Sequence, residues 1–206
     1  MEISPAVMQT LALQKLLNGA IIPRPIGWIS TLSAEGQPNL APFSYFTVVC
    51  PNPPHVLYCP GRRGPAAEEK HSLVNARLCG EFVVNIVTED LAQAMNLTSS
   101  EVGPEVDEFV LAGLTTVPSV VVAPPRVAES PIHFECKVTH IVDVSDAPGG
   151  GSIVVGEVVH IHFDESLLLD GGRVNIPALH AIGRLAGAGY SRVSDLFDMP
   201  RPGGGA

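Results

Sequence analysis

Residues 133–145 (HFECKVTHIVDVS) and 152–163 (SIVVGEVVHIHF) flank the turn-forming stretch APGGG at 147–151. Two long arms that alternate apolar and polar residues around a short glycine-rich turn can pair only antiparallel. A parallel sheet would need a crossover helix between them, and there is no room for one. The apolar phase runs through Phe134, Cys136 and Val138, then shifts to Ile141 and Val144, as a β-bulge would require.

The rest of the chain reads as the same class. Periodicity predicts strands at 26–32, 40–49, 55–59 and 81–87, with short extended pieces at 119–122 and 125–130. Residues 8–17 suit an amphipathic helix stopped at Asn18-Gly19, and residues 66–78 a second helix ended by Gly80. Thr88 is placed to cap a third over EDLAQAMNL, and 104–112 suits a helical turn. About six or seven strands joined mostly by turns, with two or three inserted helices, predict a mainly β antiparallel barrel. No linker divides the 206 residues, so we expect one domain over 18–202, preceded by a helical segment at 1–17 and followed by a disordered tail at 203–206.

Charge narrows the function. Twelve basic against 21 acidic side chains give a net charge of −9, and Lys and Arg form no run. That argues against nucleic acid and against an anionic membrane surface. No apolar window is long enough for a membrane span and no signal peptide opens the chain, so the expected location is the cytoplasm. Charged residues are only 16% of the chain, so we expect part of the surface to be covered in an oligomer. Cys50, Cys59, Cys79 and Cys136 lack CxxC spacing and read as reduced, mostly buried thiols.

Dinucleotide, phosphate-loop, serine-hydrolase and zinc-protease fingerprints are all missing; GRLAGAG at 183–189 has the wrong spacing and no leading strand. Cys50, His55 and Cys59 lie close in sequence, but prolines and strand alternation would scatter them. His160 and His162 share a strand face and read as a solvent-facing or interface pair rather than ligands. Two stretches remain. In PRPIGWISTLSAEGQPNLAPFSYF (23–46), four prolines interrupt a hairpin in which Ser30, Thr31 and Ser44 sit beside large rings. Such prolines either free backbone groups to face a flat ligand or blunt an edge strand. In GRRGPAAEEKHSLVNAR (61–77), Arg62, Arg63, Lys70, Ser72 and Asn75 gather near a helix start. That is either an anion site or a solvated loop paired with Glu68 and Glu69. Taken together the two stretches describe a pocket for a ring system with a phosphate tail, which FMN fits.

At RPIGWIST, NLAPFSYF, NPP, KHSLVN, GEFVVNIV, VDEFVLAGL, SP…FEC, GEVVHIH and the tail GRLAGAGYSR, the chain resembles the flavin reductase-like, FMN-binding split-barrel family over about residues 18–202. The resemblance implies a six-stranded Greek-key split barrel, a homodimer with FMN near the subunit interface, and reduction of flavin by NADH or NADPH. It implies an NAD(P)H:flavin oxidoreductase that hands reduced flavin to a partner flavin-dependent monooxygenase. The alternatives are an FMN-binding electron carrier or sensor without nicotinamide turnover, and a hydrolase reusing the barrel. Carried onto this chain, the strand from Arg24 to Thr31 runs beside the flavin ring, with Ser30 and Thr31 in contact and the amides around Ser30, Thr31 and Phe43 as donors to it. Ala41, Pro42, Phe43 and Ser44 line the ring, and Lys70 and Ser72 hold the phosphate. Arg184 and Tyr190 either close over the pocket or belong to a C-terminal plug. Relatives carry Lys-Asp-Thr or Lys-Asp-Ser where this chain has Lys70-His71-Ser72, so His71 replaces a carboxylate. The chemistry is flavin-borne, and no catalytic side chain is expected.

Overall fold

The computed structural model describes residues 1–203 and builds one wholly antiparallel seven-stranded sheet. Its strands are β1 (Gly27–Leu32), β2 (Pro38–Phe43), β3 (Phe46–Pro51), β4 (Pro54–Tyr58), β5 (Glu81–Ile86), β6 (Ile132–Ser145) and β7 (Gly151–Phe163), in the order β2-β1-β5-β6-β7-β4-β3. Strands β5 to β7 follow one another and β4 returns beside β7, which is a Greek key. The long β6–β7 hairpin shifts register at three places, one of them between Val138 and His140, where the apolar phase shifts.

The sheet rolls until its two ends touch. Phe43 of β2 and Tyr58 of β4 come from opposite ends, yet their ring centroids are 5.0 Å apart. Phe46 of the edge strand β3 lies flat on Gly27 of β1, where an added Cβ would stand 2.6 Å from the ring. No ladder joins β2 to β3 among the described residues, so side chains close the barrel and a split remains along that seam. Inside, Ile29, Tyr58, Phe82 and Val84 pack against Leu73 of the helix over residues 71–79. Each fully buried large side chain of this kind contributes on the order of 2–3 kcal/mol.

Among the described residues there are five α-helical segments: α1 (Thr10–Ala20), α2 (His71–Cys79), which plugs the barrel, α3 (Ala92–Leu97), and the four-residue turns α4 (Glu108–Leu111) and α5 (Ile176–Leu179). Helix α2 stops at Gly80, whose φ of 68° is the left-handed cap predicted there. Helices α3 and α4 belong to the long β5–β6 excursion. A second core around Trp28, Leu40, Met95 and Phe109 seals that excursion against the outer face of the sheet. Helix α1 buries none of its residues.

Several expectations change at the element level. The strand expected over 40–49 is two strands, broken at Ser44-Tyr45 where the sheet passes from one rim to the other. The helix expected from 66 starts at 71, because the backbones of Arg63 and Glu68 pair around a tight turn in which Ala67 takes a φ of 54°. Thr88 does not cap α3; it bridges to Ala181, and α3 begins only at Ala92. Residues 119–122 form no strand: 120–122 are bends, because the amides of Val120, Val121 and Val122 turn inward to the Glu135 carboxylate. Of the four free cysteines only Cys136 is buried; Cys79 is exposed. Among the described residues no helix is long and apolar enough to cross a membrane. The tail expected at 203–206 lies, apart from Gly203, outside the described residues.

Candidate functional site

The prolines of β2 find their explanation at the rim. Among the described residues strand β2 pairs only with β1, so alternate residues project their backbone groups away from the sheet. Leu40 is one of these: its N–H reaches outward to Glu108 Oε2 at 3.0 Å. Pro38 and Pro42 share its parity, so each occupies a position whose missing N–H breaks no ladder bond. The carbonyls of Leu40 and Pro42 point the same way. The edge is blunted toward other strands and left with acceptors toward whatever lies beside it.

A cleft opens against this edge. Its walls are Asn39, Ala41 and Pro42 of β2, Arg63, the N-terminus of α2 from Lys70 to Ser72, the loop from Thr98 to Val102, and Glu108. It encloses about 50 Å³, room for a small anion but not for a ring system. Its far wall is held by two bonds: Trp28 Nε1 donates to Thr98 Oγ1 at 2.9 Å, and the Glu108–Leu40 contact ties down α4.

The cleft holds two cations, Arg63 and Lys70, and two carboxylates, Glu101 and Glu108. Arg63 Nε is buried with no hydrogen-bond partner. Lys70 enters no ion pair among the described residues, and its ammonium stands 5.5 Å from the centre of the Phe43 ring. Burial first, and then the neighbouring Arg63 charge, push its pKa down, with Glu101 opposing. Neither cation is ion-paired to those carboxylates among the described residues, which leaves both available to an anion. Ser72 Oγ accepts from Asn39 Nδ2 at 3.1 Å, which leaves its own proton to donate. The first amides of the nine-residue α2 open onto the same place. Opposite, burial raises the pKa of Glu108, and the Leu40 amide opposes that rise.

The basic cluster read from the sequence thus divides. Arg62 pairs with Glu69 at 2.9 Å in a network that also holds Arg77 and Asp143. Asn75 Nδ2 donates to Thr31 Oγ1 at 3.0 Å. Arg63, Lys70 and Ser72 are the members that meet in the cleft, with Ala41 and Pro42 beside them and Phe43 beneath Lys70.

Ser30 and Thr31 are not brought there. Neighbours on a strand face opposite ways, and both are fully buried. Ser30 Oγ donates to the Pro125 carbonyl at 2.5 Å on the outer face, whereas Thr31 faces α2. Their amides, and that of Phe43, fall at ladder positions of β1 and β2. Neither hydroxyl lines the cleft within this chain.

Arg24 and Ser44 line a separate, larger pocket of about 490 Å³ with Leu17, Tyr45, Leu57 and Cys59. Arg24 is a staple there. Nε donates to Ser44 Oγ at 3.2 Å, and its other nitrogens donate to the carbonyls of Asn18, Ile21 and Leu185. Backbone bonds in both directions tie Arg24 to Arg184. Arg184 in turn stacks on Tyr190, its partner in the C-terminal hairpin, with the guanidinium 4.5 Å from the ring centre. Neither Arg184 nor Tyr190 reaches the cleft within one chain. The hairpin clamps the segment before β1 instead of plugging the barrel.

The histidine pair is not solvent-facing in the way expected. His162 Nε2 lies 2.5 Å from Glu135 Oε1, and the His160 ring stands edge-on to His162 at 4.6 Å. His133 Nε2 binds the Val127 carbonyl at 2.7 Å, and its Nδ1 is buried without a partner. Cys50 and His55 both lean on the Pro53 carbonyl in the β3–β4 turn, and Cys59 belongs to the larger pocket.

Reading the sequence missed the loop Thr98–Val102, Asn39 and Glu108 as cleft walls. The polar run TSSE after an apolar helix was the available signal, but only the fold brings it beside Lys70.

The description Flavin reductase like domain matches residues 19–186. An uncharacterized protein of Halalkalibacterium halodurans is 37% identical over 204 residues, covering 98% of this chain and 97% of its own. The structure of nitrilotriacetate monooxygenase component B from Bacillus cereus superposes with a TM-score of 0.91 at 35% identity, covering 97% of this chain and 98% of its own. The 2-nitrobenzoate 2-nitroreductase of Pseudomonas fluorescens gives 0.88 at 30% identity, covering 98% and 97%.

Proposed function

We propose, from the premise that the chain belongs to the flavin reductase like domain family, that it is an FMN-dependent reductase driven by NADH or NADPH. The observation that carries the reading is the buried, unpartnered Arg63 Nε beside the unpaired Lys70. A phosphate monoester fits that pair: it is a compact dianion at neutral pH and accepts several hydrogen bonds.

Arg63, Lys70, Ser72 and the first amides of α2 would hold the phosphate of FMN. The cleft itself is too small for the ring, so the ring would extend from it along Ala41, Pro42 and Phe43 toward Ser44. The outward carbonyls of Leu40 and Pro42 would orient its polar edge, and the apolar side chains would keep water from one face. Bound flavin supplies the redox chemistry, taking a hydride from the nicotinamide. The protein's part is to fix the ring and leave one face accessible to the donor. Arg24 acts at a distance by fixing Ser44 and the end of α1.

We further propose a homodimer. The exposed leucines Leu11, Leu16 and Leu17 of α1, together with Tyr45, Val48 and Val49, present more apolar surface than an isolated chain ordinarily leaves in water. The 490 Å³ pocket and a neighbouring cavity of about 650 Å³ share Leu17, Tyr45 and Cys59 beneath that surface. Residues of a partner copy would complete the site. The likeness to a monooxygenase component B supports release of reduced flavin to a separate oxygenase, and a nicotinamide donor suits a cytoplasmic protein.

The test is direct. Purified protein should bind FMN, and anaerobic NADH or NADPH should bleach the 450 nm band of the complex within seconds. Mass measurement of the extracted chromophore checks its identity. Reduction by dithionite but by neither nicotinamide would leave only the electron-carrier reading. The likeness to a nitroreductase favours a second reading, in which flavin stays bound and reduces a small nitroaromatic in place. Turnover of 2-nitrobenzoate without free flavin would select it.

A further inference from the structure

His71 is the first residue of α2 and lines the same cleft as Arg63, Lys70 and Ser72. We propose that His71 makes the affinity of this cleft for a phosphate-bearing flavin depend on protons, so that FMN is held more tightly when the imidazole is charged. The proposal rests on the reading of the cleft as the FMN phosphate site.

The charged groups around the imidazole make it responsive. Arg63 and Lys70 flank it from the preceding loop and the helix cap, Glu101 and Glu105 face it from the loop after α3, and Glu108 closes the cleft from α4; Glu35 lines the groove on its other side from the β1–β2 turn, and β2 itself contributes only uncharged residues. In the free protein, burial and then Arg63 lower the His71 pKa, while Glu105 opposes them. The ring is therefore largely neutral above its ordinary range, in a cleft that already holds two cations. A phosphate dianion would reverse the balance by adding two negative charges at short range. The His71 pKa is then higher with ligand than without. A group of that kind strengthens binding fully below its free pKa, and the gain is lost as pH rises through its bound pKa. Riboflavin has the same ring without the phosphate and gives His71 nothing to pair with.

The experiment is calorimetric titration of the full chain with FMN and with riboflavin, at several pH values. Each is repeated in two buffers of different ionisation enthalpy. The FMN dissociation constant is expected to fall about fivefold from about pH 8.5 to about pH 6.5, a window in which the phosphate stays mostly dianionic. Proton uptake should accompany FMN binding and not riboflavin binding. His71→Asn and His71→Gln should both lose the slope and the proton uptake while still preferring FMN over riboflavin. If FMN binds the parent chain with no proton uptake, or if both variants keep its slope, the role of His71 is overturned and the cofactor reading stands. If FMN binds no better than riboflavin at every pH, the phosphate site itself falls, and His71 with it.

Discussion

Lys70 can be tested alone because its ammonium enters no ion pair among the described residues and stands over the Phe43 ring. Lys70→Ala removes one charge-assisted contact, worth about 1.5–3 kcal/mol. FMN affinity should fall about ten- to hundredfold while riboflavin affinity stays the same, read by fluorescence quenching. Gly27 tests the barrel seam. A methyl group there meets the Phe46 ring at 2.6 Å, so Gly27→Ala must push the ring out of the closure. A loss of about 1–3 kcal/mol in denaturant unfolding is expected. At this scale the sequence was informative where one residue type has one use, as with Gly80 at the end of α2. It was less so for Ser30 and Thr31, because alternation along a strand shows that two side chains face opposite ways but not which face meets the ligand. Arg62 and Arg63 could not be told apart until Glu69 took one and left the other.

The β6–β7 hairpin carries the strongest electrostatic feature outside the cleft. Burial pushes the Glu135 carboxyl up, but the amides of Val120, Val121 and Val122 together with His162 outweigh it and hold its pKa at about 2. Burial lowers His133 to about 4. In the unfolded chain these groups titrate near their ordinary values, so protons bind the unfolded state better in both windows. Stability should therefore decline from about pH 6.5 to about pH 4 through His133, and on toward about pH 2 through Glu135. Chemical denaturation across that range should show His133→Gln flattening the upper limb and Glu135→Gln the lower one, each by on the order of 3 kcal/mol. The hairpin itself was readable from its alternation and glycine turn. The 119–122 segment was not, because its valines favour a strand until a carboxylate thirteen or more residues away claims their amides. The break at Ser44-Tyr45 was hidden for a related reason: a strand leaving one rim and entering another keeps its apolar pattern.

For the whole molecule, the antiparallel barrel followed from turn-joined strands, and the family resemblance covers nearly the same residues as the domain match. In the sequence, assembly was suggested by the low charge content and implied by the family resemblance, and no pattern showed which face would be covered. The exposed apolar residues of helix α1 and strand β3 are the face proposed for it. Val48→Glu should give monomers by sedimentation at concentrations where the parent chain is paired, with weakened FMN binding if a partner completes the site. The prolines at 38 and 42 bear on what such pairing can become. A fibre that grows strand upon strand needs two receptive rims on every subunit, one to give and one to receive. With Pro38 and Pro42 silencing β2, this sheet has at most one, so recruitment through β3 must stop at a closed pair.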